Sequence, residues 1–99
     1  MSKYLGIDFG LKRIGLSITD QEKIFAFPLT TIEYNNAFNF FTDLFLKEEI
    51  SKVIIGYPKR LSGVDSEIES SIKIFITKFK NQFPAIEIER FDERFTSKL

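Results

Sequence analysis

Apolar residues along this chain follow two periods, and the switches between them divide it into strands and helices. Residues 3–9 form an apolar run, and in 13–19 Ile14, Leu16 and Ile18 alternate with Gly15, Ser17 and Thr19. Such alternation is the pattern of a strand with one buried face. Gly10-Leu11-Lys12 between the two runs is short enough for a hairpin. Residues 24–32 read as a third strand, and Pro28, which has no N–H for a ladder, puts it at a sheet edge. The period then lengthens. Ala37, Phe40, Phe41, Leu44 and Phe45 recur at helical spacing, with Asn35 or Asn36 placed to cap the helix. Val53-Ile54-Ile55-Gly56 is an unbroken apolar run, suited to a strand covered on both faces. A loop from Tyr57 to Gly63 leads to a second helix with the stripe Ile68, Ile72, Phe75, Ile76 and Phe79. Ser66 and Glu69 have the spacing of a capping box, and Pro84 ends this helix. Residues 86–91 alternate again and form a fifth strand.

The element order is therefore β-β-β-α-β-α-β, which predicts an α/β fold: one mixed sheet with helices packed on it. A chain of 99 residues without linker, repeat or low-complexity segment reads as a single domain, 1–99. Hydrophobic residues at 43% and charged residues at 28% exclude a disordered chain. The formal net charge is zero, so any nucleic-acid binding must come from a local basic patch. Cysteine is absent, which removes disulfides and thiolate metal sites. Histidine is absent too, which removes the commonest general base and histidine-ligated zinc. Catalysis would rest on carboxylates, Lys, Arg, Ser, Thr or Tyr, and carboxylates bind hard cations such as Mg²⁺. No stretch approaches the roughly 20 apolar residues of a membrane span, and the N-terminus has no signal-peptide pattern. A cytoplasmic protein without membrane contact is the expectation.

Asp8 is the most informative single residue. An ionised carboxylate in an apolar strand costs free energy unless something compensates it. It either faces water and caps the turn into Gly10, or it is a metal ligand or phosphate-site acid at the mouth of the sheet. Gly6, Gly10 and Gly15 serve simple turn and packing needs, or they let backbone N–H groups, with Lys12 or Arg13, meet phosphate oxygens. Asp92-Glu93-Arg94 follows the last strand, either as solvated charge or as part of a site. If the fifth strand is parallel to the first, both carboxyl ends open on one rim, where open α/β sheets bind ligands. Asp8 and Glu93 then converge, and two such carboxylates are tolerated when a divalent cation neutralises them. Lys59 and Arg60 fall in the loop after the fourth strand on that same rim, as solvated charge or as contacts to a nucleic-acid backbone.

The segments GIDFGLKRIGLSITD, IIGYPKRLSGVDSE and FDERFTS, in this order and spacing, resemble the YqgF family of Holliday-junction resolvases, also called RuvX, within the ribonuclease-H-like superfamily. The resemblance spans essentially the whole chain. It implies a ribonuclease-H-like mixed sheet and a nuclease site in which acidic side chains hold Mg²⁺ or Mn²⁺. The implied reaction is hydrolysis of a phosphodiester in branched DNA, or in RNA during maturation of the 5′ end of 16S ribosomal RNA precursors. By motif match Asp8 is the first-strand acid and Glu93 the acid of the third motif. Lys12, Arg13, Lys59, Arg60 and Arg94 are the implied phosphate contacts.

Two departures from the family pattern carry expectations of their own. Lys59-Arg60-Leu61-Ser62-Gly63 stands where the family often has Asn-Met-Asp-Gly after the proline. The family also normally continues past the third motif into a last helix carrying another acid. The expectation is a C-terminally truncated nuclease domain lacking that helix, weak or inactive unless another chain supplies it, for instance in a homodimer through the exposed face. A catalytically silent nucleic-acid-binding or ribosome-associated module of the same fold is the alternative. An ATPase fragment of the actin and sugar-kinase type would need a second phosphate-binding hairpin and a longer chain.

Overall fold

The computed structural model describes residues 2–20, 26–56 and 64–91. Its strands are β1 (Lys3–Phe9), β2 (Arg13–Thr19), β3 (Ala26–Glu33), β4 (Ile50–Gly56) and β5 (Glu87–Phe91), and its α-helices are α1 (Ala37–Lys47) and α2 (Val64–Gln82). Spatially the sheet runs β3-β2-β1-β4-β5. β1 and β2 pair antiparallel through the expected hairpin, and β2 pairs antiparallel with β3. β4 is parallel to both β1 and β5. This is the mixed α/β sheet that the sequence pattern predicts, with the Pro28 strand at an edge. β3 also carries one extra residue, Leu29, where the register shifts between Leu16 and Ser17. A bulge and a proline on an edge strand both discourage pairing with a further chain.

One face of the sheet makes the core. Leu5 and Ile7 of β1, Ile14 and Leu16 of β2, and Val53 and Ile55 of β4 are buried there beneath Ala37, Phe41 and Leu44 of α1 and Ile72, Phe75 and Phe79 of α2. Alternation along each strand places these side chains together. Ring contacts run Phe38–Phe75, Phe41–Phe79 and Phe45–Phe83, so the two helices lie side by side in the same direction. On the opposite face none of Tyr4, Gly6, Asp8, Gly15, Ser17, Lys52, Ile54 and Gly56 is buried. The expectation that β4 is covered on both faces is therefore corrected: Val53 and Ile55 are inside, while Ile54 is only partly covered.

Two capping expectations also change. α1 is preceded by a 3-10 turn, Tyr34–Asn36, and Asn36 occupies the N-cap without a side-chain bond. α2 begins at Val64, so Ser66 lies inside the helix and cannot be its cap. Glu69 has a different partner, described below. The loop 57–63 lies outside the described residues. No helix among the described residues is long and apolar enough to cross a membrane.

Candidate functional site

Three parallel strand ends define one rim. Gly6 and Ile7 pair with Ile54 and Ile55, which brings Asp8 level with Gly56, and Gly56 in turn pairs with Phe91. The C-terminal ends of β1, β4 and β5 thus open side by side, with β4 in the middle. Two strand spacings, about 10 Å, separate β1 from β5.

Asp8 sits on this rim, on the face away from the helices. Its strand neighbours Ile7 and Phe9 turn toward the core, and Phe9 packs edge-on against Phe75. Alternation turns Asp8 the other way, where it is exposed. That answers the energetic objection to an acid in this strand, because the carboxylate keeps its water. Its carboxylate has no hydrogen-bond or ion-pair partner among the described residues. Opposite it in the hairpin stands Gly15, where a Cβ would lie 3.5 Å from the Cβ of Asp8. The missing side chain leaves that flank open. An open concavity of about 770 Å³ runs over this part of the sheet, lined by Asp8, Gly15, Ser17, Gly56 and Phe91 among others.

Lys12 and Arg13 follow from the hairpin. Gly10 allows its tight return: a Cβ there would meet the Arg13 carbonyl oxygen at 2.6 Å. The Lys12 carbonyl accepts a hydrogen bond of 2.9 Å from the Tyr34 N–H, which ties the hairpin to the start of the 3-10 turn. Both basic residues are exposed, and neither head group has a partner among the described residues. Arg13 shares the face of Gly15 and Asp8 by alternation. The structure therefore brings Asp8, Lys12 and Arg13 to one end of the sheet. Lys59, Arg60, Glu93 and Arg94 lie outside the described residues. Among the described residues no group of three or more His, Cys, Asp or Glu could hold a metal ion.

One arrangement at this rim went unread in the sequence. Arg90 points inward from β5 and donates to both carboxylate oxygens of Glu69 on α2, Nη1 to Oε2 at 3.0 Å and Nη2 to Oε1 at 2.8 Å. The same guanidinium donates from Nε to the Ile55 carbonyl and from Nη2 to the Gly56 carbonyl, each at 3.3 Å. The hydrogen bonds from Arg90 hold the Glu69 carboxyl below its ordinary value, against the opposing effect of burial. The signal was available: Arg90 stands at an inward position of an alternating strand after Ile86 and Ile88, and an inward charge demands a partner.

Comparison with known proteins places this geometry in context. The sequence profile described as "RuvX: Holliday junction resolvase" matches residues 2–99. A relative from Flavobacterium psychrophilum is 50% identical over 99 residues, 100% of this chain and 72% of that protein. Relatives from Karelsulcia muelleri and Bacteroides thetaiotaomicron are 44% and 37% identical over the same 99 residues, again covering 72% of each. All three bear the name "Putative pre-16S rRNA nuclease".

Proposed function

Because the chain belongs to the RuvX family of Holliday junction resolvases, we propose that it is a metal-dependent endonuclease that hydrolyses phosphodiesters of branched DNA or of the 16S ribosomal RNA precursor. The relatives' names favour the RNA substrate. The observation that carries the reading is Asp8: an exposed carboxylate, unpaired among the described residues, near the C-terminal end of β1 beside the open flank of Gly15.

The donor chemistry fits a hard divalent cation. The chain has no histidine or cysteine, so its candidate ligands are carboxylate oxygens, the class that suits Mg²⁺ or Mn²⁺. Asp8 would hold the ion together with Glu93, which follows β5 by two residues in sequence. When bound, the ion supplies a lowered pKa for attacking water and stabilises charge on the phosphoryl oxygens. The chain's own residues then divide the remaining work. Asp8 presents its carboxylate oxygens on the rim, where it is exposed. Gly15 leaves room for the phosphate beside it. Lys12 and Arg13 neutralise flanking phosphates and so orient the strand, and Lys59, Arg60 and Arg94 are assigned the same role.

The reading is tested by incubating the full chain with four-way DNA junctions and with a 16S precursor RNA in Mg²⁺ or Mn²⁺. Cleavage is expected, with a loss of at least 100-fold in Asp8→Asn and Glu93→Gln, on the order of removing one principal electrostatic group. Salt-dependent binding without cleavage in either substrate would instead identify a silent nucleic-acid-binding module.

A further inference from the structure

The Glu69–Arg90 pair lies between the two strand ends that lead into the remaining candidate residues. Gly56 ends β4 and is followed within four residues by Lys59 and Arg60; Arg90 precedes Glu93 by three. We propose that Glu69 and Arg90 are positioning residues, a clamp that fixes the ends of β4 and β5 relative to α2 and thereby sets where the rim presents its charged groups. The proposal rests on the nuclease reading above.

The pair makes contacts that an apolar pair could not. Its side chains are 17% and 16% exposed, for Arg90 and Glu69 in turn. Partly desolvated ion pairs give back much of their attraction as lost hydration, and apolar residues of similar size often stabilise a fold as well. Ile86 just before β5 and Ile88 within it pack against the core in that way. Among the described residues Arg90 instead donates four hydrogen bonds at once: two to the Glu69 carboxylate and two to the consecutive carbonyls of Ile55 and Gly56. Only the planar fork of a guanidinium meets a carboxylate and two neighbouring carbonyls together. The carbonyls concerned belong to the last two residues of β4. A strand end next to an edge strand is where a sheet opens first, and Gly56 has no side chain with which to anchor itself. The clamp supplies that anchor from β5 and ties both to α2.

The geometry separates this role from a plain ion pair. Swapping the charges keeps the attraction but removes the carbonyl contacts, since a carboxylate at position 90 cannot donate to Ile55 or Gly56. Arg90→Lys keeps the charge and loses the fork. Glu69→Gln keeps the shape and loses the charge.

The test uses the full chain and these three variants, with two readouts. By peptide-resolved amide hydrogen exchange, Arg90→Lys and the charge swap Glu69→Arg/Arg90→Glu are both expected to exchange at least tenfold faster at the ends of β4 and β5. The β1–β2 hairpin and α1 should be unchanged, and Glu69→Gln should fall between wild type and Arg90→Lys. In steady-state cleavage the same variants are expected to lose at least tenfold in kcat with KM within twofold, since small displacements of reacting groups are costly. Unchanged exchange, exchange raised uniformly over the whole chain, or wild-type exchange restored by the swap would overturn the clamp. Unchanged kcat with loosened strand ends would overturn its positioning role. A wild type that neither cleaves nor binds Mn²⁺ would sink the nuclease reading instead, and the exchange arms would still decide whether the pair fixes the two ends.

Discussion

Glu69 gives the fold a pH dependence with a definite sign. Its hydrogen bonds from Arg90 lower its pKa in the folded state below the ordinary 4.5. A carboxyl with a depressed folded value contributes stability that is fully present above its unfolded value and is lost as pH falls through the folded one. In urea unfolding, wild type is therefore expected to exceed Glu69→Gln by most at neutral pH, with the gap closing once pH drops below about 4.5. A gap independent of pH from 7 to 3 would mean that the charge on Glu69 does not matter. The glycines show how far single residues could be read in advance. Gly6, Gly10 and Gly15 look alike in the sequence, as one candidate phosphate loop. In the fold they separate. Gly10 is a steric necessity of the turn, because the neighbour it would strike is backbone. At Gly6 a Cβ would strike only the Ser17 hydroxyl, which can rotate away, and at Gly15 a Cβ would make ordinary contact with Asp8. The distinction depends on cross-strand register, which no local pattern contains.

At the level of elements, the helices hold the sheet through aromatic rings. Phe75 is fully buried and its ring meets those of Phe9, Tyr34, Phe38, Phe41 and Phe79. It links β1, the 3-10 turn and both helices. Phe75→Ala is expected to cost about 3–5 kcal/mol in urea unfolding, a large share of the ~5–15 kcal/mol that holds a domain of this kind together. Leu46, 83% exposed on α1, provides the control: Leu46→Ala should change stability by less than ~0.5 kcal/mol. Equal losses at the two positions would contradict the packing. Both helical stripes were legible because a 3.6-residue period is a direct imprint of one-sided burial. The caps were less legible. A capping box is worth about 1 kcal/mol, little enough for tertiary contacts to override, and Glu69 meets Arg90 while α2 starts ahead of Ser66.

For the whole molecule the decisive fact is strand direction. Period and propensity identify five strands but do not say which are parallel; the crossovers through the helices settle that, and they bring the ends of β1, β4 and β5 to one rim. Asp8 was readable as a candidate because its charge conflicts with an apolar run, whereas the tie between Glu69 and Arg90 spans 21 residues and two elements. The same topology governs how this molecule would meet a polyanion. With a formal net charge of zero, it has no long-range field to draw one in. Affinity must then come from a local cluster of cations, and Lys12 and Arg13 stand at the rim with head groups that have no partner among the described residues. Each phosphate neutralised on a duplex adds about 0.9 to the slope of log affinity against log salt. The double substitution Lys12→Gln/Arg13→Gln is expected to lower that slope by ~2 on a four-way junction. The measurement is fluorescence anisotropy between 50 and 200 mM monovalent salt, in EDTA, which withholds divalent cations and keeps the substrate intact. The Asp8→Asn variant should leave the slope close to wild type or raise it, because it removes a negative charge and no phosphate contact. An unchanged slope in the double variant would move the nucleic-acid footprint off the hairpin, and the case for Lys12 and Arg13 would fall while that for Asp8 stood.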